Sequence, residues 1–194
     1  MKKIFTLLMI FCFFITNAFG TGDFSLWCEH SVPKIPQMDE VAAWGVDYMH
    51  DIHDSWKIGA RVEYLGGEFS TVSSNVKVHC NPYFRAVMIG GGYNKSIGKN
   101  FNLNGKSFLG CSFVHVHPKE IPYTISSKIF DVVPRFVGEL SMGIQYLFTK
   151  RFGLGFDVGY RFVPEITIQD VKDTKDIKID LSGATFALGL SYKI

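Results

Sequence analysis

The stretch Arg151–Phe162, RFGLGFDVGYRF, decides the fold. Every second residue is large and apolar (Phe152, Leu154, Phe156, Val158, Tyr160, Phe162), and between them stand Gly153, Gly155, Asp157, Gly159 and Arg161. A period of two is a β-strand with two unlike faces. A soluble barrel or sandwich turns its apolar face inward and solvates the other with Lys, Glu or Thr. Here the second face is mostly glycine with a few charges. Glycine weakens a strand and covers nothing, so a merely solvated face has no use for it. It suits a crowded interior, provided the apolar face looks outward into lipid.

Other segments repeat the pattern. In TFALGLSYKI, Phe186, Leu188, Leu190, Tyr192 and Ile194 alternate with Ala187, Gly189, Ser191 and Lys193. In RFVGELSMGIQYLF, Phe136, Leu140, Met142, Ile144, Tyr146 and Phe148 oppose Arg135, Glu139, Ser141, Gly143 and Gln145. FNLNGKSFLGCSF sets Phe101, Leu103, Leu109 and Phe113 against Asn102, Asn104, Lys106 and Ser112, and WKIGARVEYLG sets Trp56, Ile58, Ala60, Val62 and Tyr64 against Lys57, Gly59, Arg61 and Glu63. In YFRAVMIGGGY, Arg85 and the run Gly90-Gly91-Gly92 fit no single alternation, which predicts a bulge. With AAWGVDYM and DFSLWCE the count reaches eight strands.

Three connections are short, near residues 50–55, 95–100 and 149–151; four are longer, about 31–40, 67–81, 115–133 and 163–180. Short and long alternate, as periplasmic turns and extracellular loops do. Aromatics flank the short turns (Tyr48, Trp56, Tyr93, Phe101, Tyr146, Phe148, Phe152), with Tyr192 near the chain end; Tyr64, Phe113, Phe136, Tyr160 and Phe162 lie toward the long loops. Two girdles at two membrane interfaces account for this. The expected fold is all-β: an eight-stranded antiparallel up-and-down transmembrane β-barrel.

The chain has 194 residues and reads as one domain, residues 21–194, behind a signal peptide, residues 1–20. Lys2 and Lys3 precede the apolar run Ile4–Ile15, and Ala18 and Gly20 have the spacing of a signal-peptidase site. That run is too short for a spanning helix, which needs about 20 apolar residues. Losing the two lysines takes the formal charge from +2 to 0, so no basic field points to nucleic acid. Cys28, Cys80 and Cys111 remain; one bridge among them is open, and an odd, scattered set is no disulfide framework.

The pattern resembles the small eight-stranded outer-membrane barrels: the OmpA transmembrane domain, OmpX and the opacity-protein relatives. The terminal GLSYKI is similar to their assembly signal, with Gly189, Tyr192 and Ile194 in its places; the usual final Phe is Ile here. The resemblance implies the outer membrane of a Gram-negative bacterium. It also implies outer-membrane lipid, lipopolysaccharide and the barrel assembly machinery as partners, and a monomer.

Eight strands leave a lumen just wide enough for side chains. The inward charges are Asp47, Lys57, Arg61, Glu63, Lys106, Arg135, Glu139, Asp157, Arg161 and Lys193. In so tight a space they are expected to pair into a structural network that plugs the lumen, with Glu139 and Arg161 on adjacent strands as the first pair. A small gated ion path is the alternative use of the same charges. No cofactor or metal is expected. The HDIHD run (His50, Asp51, His53, Asp54) is turn chemistry, and His30, His79, His115 and His117 with Cys80 show no close ligand spacing. A lipid-A-modifying enzyme needs a nucleophile–base pair, and Ser112 and His115 fall on opposite faces of an ideal strand. In the loops, Ile166 and Ile168 face Ile177 and Ile179 across a charged tip, and GGEFSTVSSNVKVHC turns back around Ser73–Asn75. Such hairpins would stand beyond the membrane and offer edges to an extracellular protein partner, an adhesion-like role.

Overall fold

Each alternating segment finds its partner in the neighbouring one. The structure is a computed structural model that describes residues 21–33, 41–66, 69–73, 76–120, 133–164, 166–168 and 177–194. The signal-peptide residues and the loop tips at 74–75 and 169–176 lie outside these. Eleven strands are described: β1 Gly22–Pro33, β2 Val41–His53, β3 Trp56–Gly66, β4 Phe69–Ser73, β5 Val76–Ser96, β6 Phe101–Glu120, β7 Val133–Leu147, β8 Phe152–Phe162, β9 Ile166–Ile168, β10 Ile177–Ile179 and β11 Gly183–Lys193. Eight of them, β1, β2, β3, β5, β6, β7, β8 and β11, form a closed antiparallel ring in which β1 pairs with both β2 and β11 and β3 pairs with β5. Closure leaves the ring no free edge.

The apolar residues face out. Ile89, Met142 and Leu140 are 71%, 70% and 66% exposed, and Phe156, Leu188 and Ile58 each exceed half. A soluble protein does not cover itself with such a band; a bilayer supplies what this one lacks. Trp56 and Tyr93 meet edge-on at 5.1 Å, and Phe101–Tyr146 and Phe152–Tyr192 meet at 5.0 and 4.9 Å. These pairs ring the end that carries the short turns.

The strand around Arg85 corrects the expected bulge. β5 alternates without a break from Phe84 to Tyr93: Phe84, Ala86 and Met88 are buried, whereas Arg85, Val87 and Ile89 face out. Its pairing with β3 is continuous from Tyr83 to Tyr93, and the one shift against β6 lies at His79/Cys80. Gly90 and Gly92 of the triple glycine are packing features instead. A Cβ on Gly90 would stand 2.0 Å from the Ser107 carbonyl oxygen and 2.7 Å from the Phe108 ring.

Beyond the ring the sheet continues outward. β5 has 21 residues and β6 has 20, where about 9–11 cross a bilayer. β5 pairs with β6 as far as His79–Glu120, and on its other edge β4 takes over from β3 along Val76–Cys80. β9 and β10 pair with Ile177 opposite Ile168 and Ile179 opposite Ile166.

Candidate functional site

The inner face of the ring brings together charges far apart in sequence. In mid-lumen, Arg61 of β3 holds Asp47 of β2 through Nε–Oδ1 at 2.7 Å and Nη2–Oδ2 at 3.0 Å. Trp27 Nε1 donates to the same Asp47 Oδ1 at 2.8 Å. The guanidinium of Arg61 lies between two rings, 4.6 Å from Trp27 and 4.3 Å from Phe108, a doubled cation–π contact. Its Nη1 reaches across the lumen to Glu139 of β7. Lys106 of β6 bonds Asp157 of β8 at 2.9 Å and lies 3.6 Å from Asp47.

One step outward, three carboxylates converge on a single nitrogen. Arg161 Nη2 is 2.7 Å from Glu29, 2.6 Å from Glu63 and 3.2 Å from Glu139. The connected cluster thus sets three cations (Arg61, Lys106, Arg161) against five carboxylates (Glu29, Asp47, Glu63, Glu139, Asp157). Asp47 and Arg161 are wholly buried. Above them the inner face turns apolar, with Ala43, Leu65, Phe84, Val137, Val163 and Leu181 all buried. Ser182 Oγ bridges the Val163 backbone, accepting from its N–H at 3.0 Å and donating to its carbonyl at 2.9 Å.

The opposite half of the lumen is hollow. Lys57 binds Asp23 at 2.6 Å and also Asp51. Asn102, Gln145 and Ser191 form a polar chain near the mouth. A chamber of about 50 Å³ lies below Lys106–Asp157, and it opens through a cavity of about 190 Å³ lined by Asp51, Asn102, Arg151 and Lys193. The first is ample for ordered water.

Of the expected inward charges, Asp47, Lys57, Arg61, Glu63, Lys106, Glu139, Asp157 and Arg161 enter ion pairs. Two depart from the expected network. Lys193 is exposed at the mouth, because it stands on the last rung of β11, opposite Asp23. Arg135 points inward above the cluster and is not joined to it; its carbonyl accepts from Ser112 Oγ at 3.2 Å. Glu29, Asp23 and Asp51, the last read as turn chemistry, are the members that sequence reasoning missed. The signal was present in β1, where Asp23, Ser25, Trp27 and Glu29 alternate with Phe24, Leu26 and Cys28. Cys28 and Cys111 are exposed free thiols on β1 and β6, four strands apart around the ring, so they do not bridge each other. At the chain end Gly189 lies between Trp27 and Gly155, Tyr192 packs on Phe152, and the Ile194 N–H donates to the Gly22 carbonyl at 2.9 Å.

No protein-family profile and no curated protein matches the sequence. Solved structures match the fold. OprG of Pseudomonas aeruginosa aligns over 89% of this chain and 96% of its own, with a TM-score of 0.62 at 14% identity. Neisserial surface protein A aligns over 90% and 96%, with a TM-score of 0.57 at 10% identity. A major outer membrane protein of Thermus thermophilus aligns over 90% and 100%, with a TM-score of 0.52 at 10% identity. Closed ring, outward apolar band and these likenesses agree: the chain has the fold of the small eight-stranded outer-membrane β-barrels.

Proposed function

We propose that this outer-membrane barrel is a structural and surface-interaction protein, monomeric, with a plugged lumen and no catalytic site. The observation that carries the reading is the length of β5 and β6. About half of each stands beyond what a bilayer needs, and with β4 they make a three-stranded sheet outside the membrane. β6 parts from β7 at Val114, so among the described residues its edge from His115 to Glu120 has no backbone partner. An unpaired edge accepts an extended segment of another chain. The buried cluster and the apolar layer above it support a plug over a conducting path. Against a lipid-A-modifying enzyme stands Ser112, buried in the lumen with its Oγ committed to the Arg135 carbonyl. The terminal Gly189, Tyr192 and Ile194 serve assembly in this reading, and the partners in the membrane are lipid and lipopolysaccharide.

The test places a photo-crosslinking residue at His117 on the protruding edge, or at Lys99 in a periplasmic turn, in intact cells. Adducts with an extracellular protein from His117 and not from Lys99 are expected. No adduct at His117, or a changed lipid A mass profile in cells carrying the protein, overturns the proposal.

A further inference from the structure

The outer face of the described strands is largely apolar, with His30 and Ser107 among its few polar positions, and it carries one arginine. Arg85 projects from β5 into the surroundings and is exposed. Its register neighbours are Tyr64 on β3 and Phe113 on β6, and Trp44 packs on Tyr64 with ring centroids 5.6 Å apart. Eight residues separate it from Tyr93 of the periplasmic girdle, which at the usual rise and tilt is about 20 Å of height. The apolar band of such barrels is about 25 Å tall, so Arg85 stands at its outer boundary, among aromatic residues of the outer girdle.

A guanidinium there needs a counter-charge, and among the described residues none supplies it. Every Asp and Glu on the described spanning strands falls on the inner face of the alternation; the outward positions of β3 and β6 beside Arg85 carry Val62, Tyr64, Cys111 and Phe113. No ion pair joins Arg85 to another described residue. The lipid headgroup layer of the outer leaflet carries negative charge at that height. A guanidinium presents two parallel N–H donors that match the oxygens of a phosphate, and flanking rings keep water from competing.

We infer that Arg85 is a docking point for a phosphate group of lipid A, held between Tyr64 and Phe113 on the outer surface of β5. The site belongs to the membrane-facing wall and is independent of the protruding edge of β6.

The test uses the full barrel in phosphatidylcholine nanodiscs doped with bisphosphorylated lipid A, and native mass spectrometry to count retained lipid. Arg85→Gln is expected to lower lipid A retention about five- to tenfold, the worth of one charge-assisted contact. Arg85→Lys should retain part of it, and Lys95→Gln, on the same strand at the periplasmic end, should leave it unchanged. Dephosphorylated lipid A should bind wild type and Arg85→Gln equally. Retention by Arg85→Gln at the wild-type level overturns the inference, as does equal retention of phosphatidylglycerol and lipid A by wild type. Should Arg85→Gln fail to fold, the wild-type comparison of phosphorylated and dephosphorylated lipid A decides alone.

Discussion

The two halves of the lumen are built from the same alternation and end in opposite states. Toward the outside, guanidiniums and carboxylates interlock and an apolar layer of Leu65, Phe84, Val137 and Val163 closes over them. Toward the periplasm, Lys57 with Asp23 and Asp51 lines a hollow that reaches up to Lys106–Asp157. The difference lies in the inward residues at each level. Amides, serines and glycines leave the mouth half open to water, whereas arginines pressed against rings fill the cross-section. Charge in the hollow can be rehydrated when its partner is lost. Charge under the apolar layer cannot, so the same kind of ion pair carries unequal weight in the two places.

Arg161→Ala should show the largest effect. It strands Glu29, Glu63 and part of Glu139 in a site that water does not reach, and breaking a buried pair costs about 3–5 kcal/mol. Lys57→Ala at the mouth should cost about 1 kcal/mol, because Asp23 and Asp51 regain solvent. Urea midpoints in lipid vesicles compare them; equal losses would remove the distinction between a sealed and an open half. The cluster also redirects the expected Glu139–Arg161 pairing. A lone pair predicts that Glu139→Ala is worse than the double variant. Here Glu139→Ala leaves Arg161 with Glu29 and Glu63 but takes the acceptor from Arg61 Nη1, so its cost should fall between those of Lys57→Ala and Arg161→Ala. The double variant should sit close to Arg161→Ala, and a double milder than Glu139→Ala restores the simple pair.

The membrane side supplies the second test. Phe156 faces lipid on β8 and Asp157, next to it, faces Lys106. Phe156→Arg should impair folding into bilayers by about 2–4 kcal/mol, as arginine near the midplane does. Asp157→Asn keeps a partner for Lys106 at the edge of the hydrated chamber and should fold in near-normal yield. Equal damage would mean that the two faces of β8 are not inside and outside.

Most of the fold was legible because strand alternation is a local signal: β8 and β11 each announce their two faces without reference to the rest. Arg85 was not, since a charged residue on the lipid face contradicts the rule that identifies that face. Its placement follows from the unbroken pairing of β5 with β3, which only the closed ring displays. The apolar inner layer was hidden as well, since Leu65, Phe84 and Val137 depart from the polar character that identifies the inner face. Inward charges were legible from parity, but their contacts were not. Arg61 meets Glu139 across 78 residues of sequence because barrel stagger brings β3 opposite β7 at that level, and stagger is a property of all eight strands.

The smallest expected effect lies at one of two glycines of one strand. Gly155 and Gly159 are both on β8, both inward and four residues apart, so backbone propensity acts on them alike. Their surroundings differ. A Cβ on Gly159 would come within 2.7 Å of the Leu140 carbonyl oxygen and 2.8 Å of both Ser141 Cβ and Thr185 Oγ1. The backbone oxygen is fixed by the ladder, so the strand itself must yield. On Gly155 the nearest atoms are the Gly189 and Ile144 carbonyl oxygens at 3.9 and 4.0 Å, ordinary contact beside the chamber. Gly159→Ala should therefore cost about 1–3 kcal/mol, the usual range for overpacking. Gly155→Ala should lie within about 0.5 kcal/mol of wild type, on the stabilising side, because alanine restricts the unfolded chain more than glycine does. Urea midpoints in vesicles read both. A loss at Gly155 as large as at Gly159 would show the periplasmic half to be as tightly filled as the outer half, and the hollow would then be no part of the folded barrel.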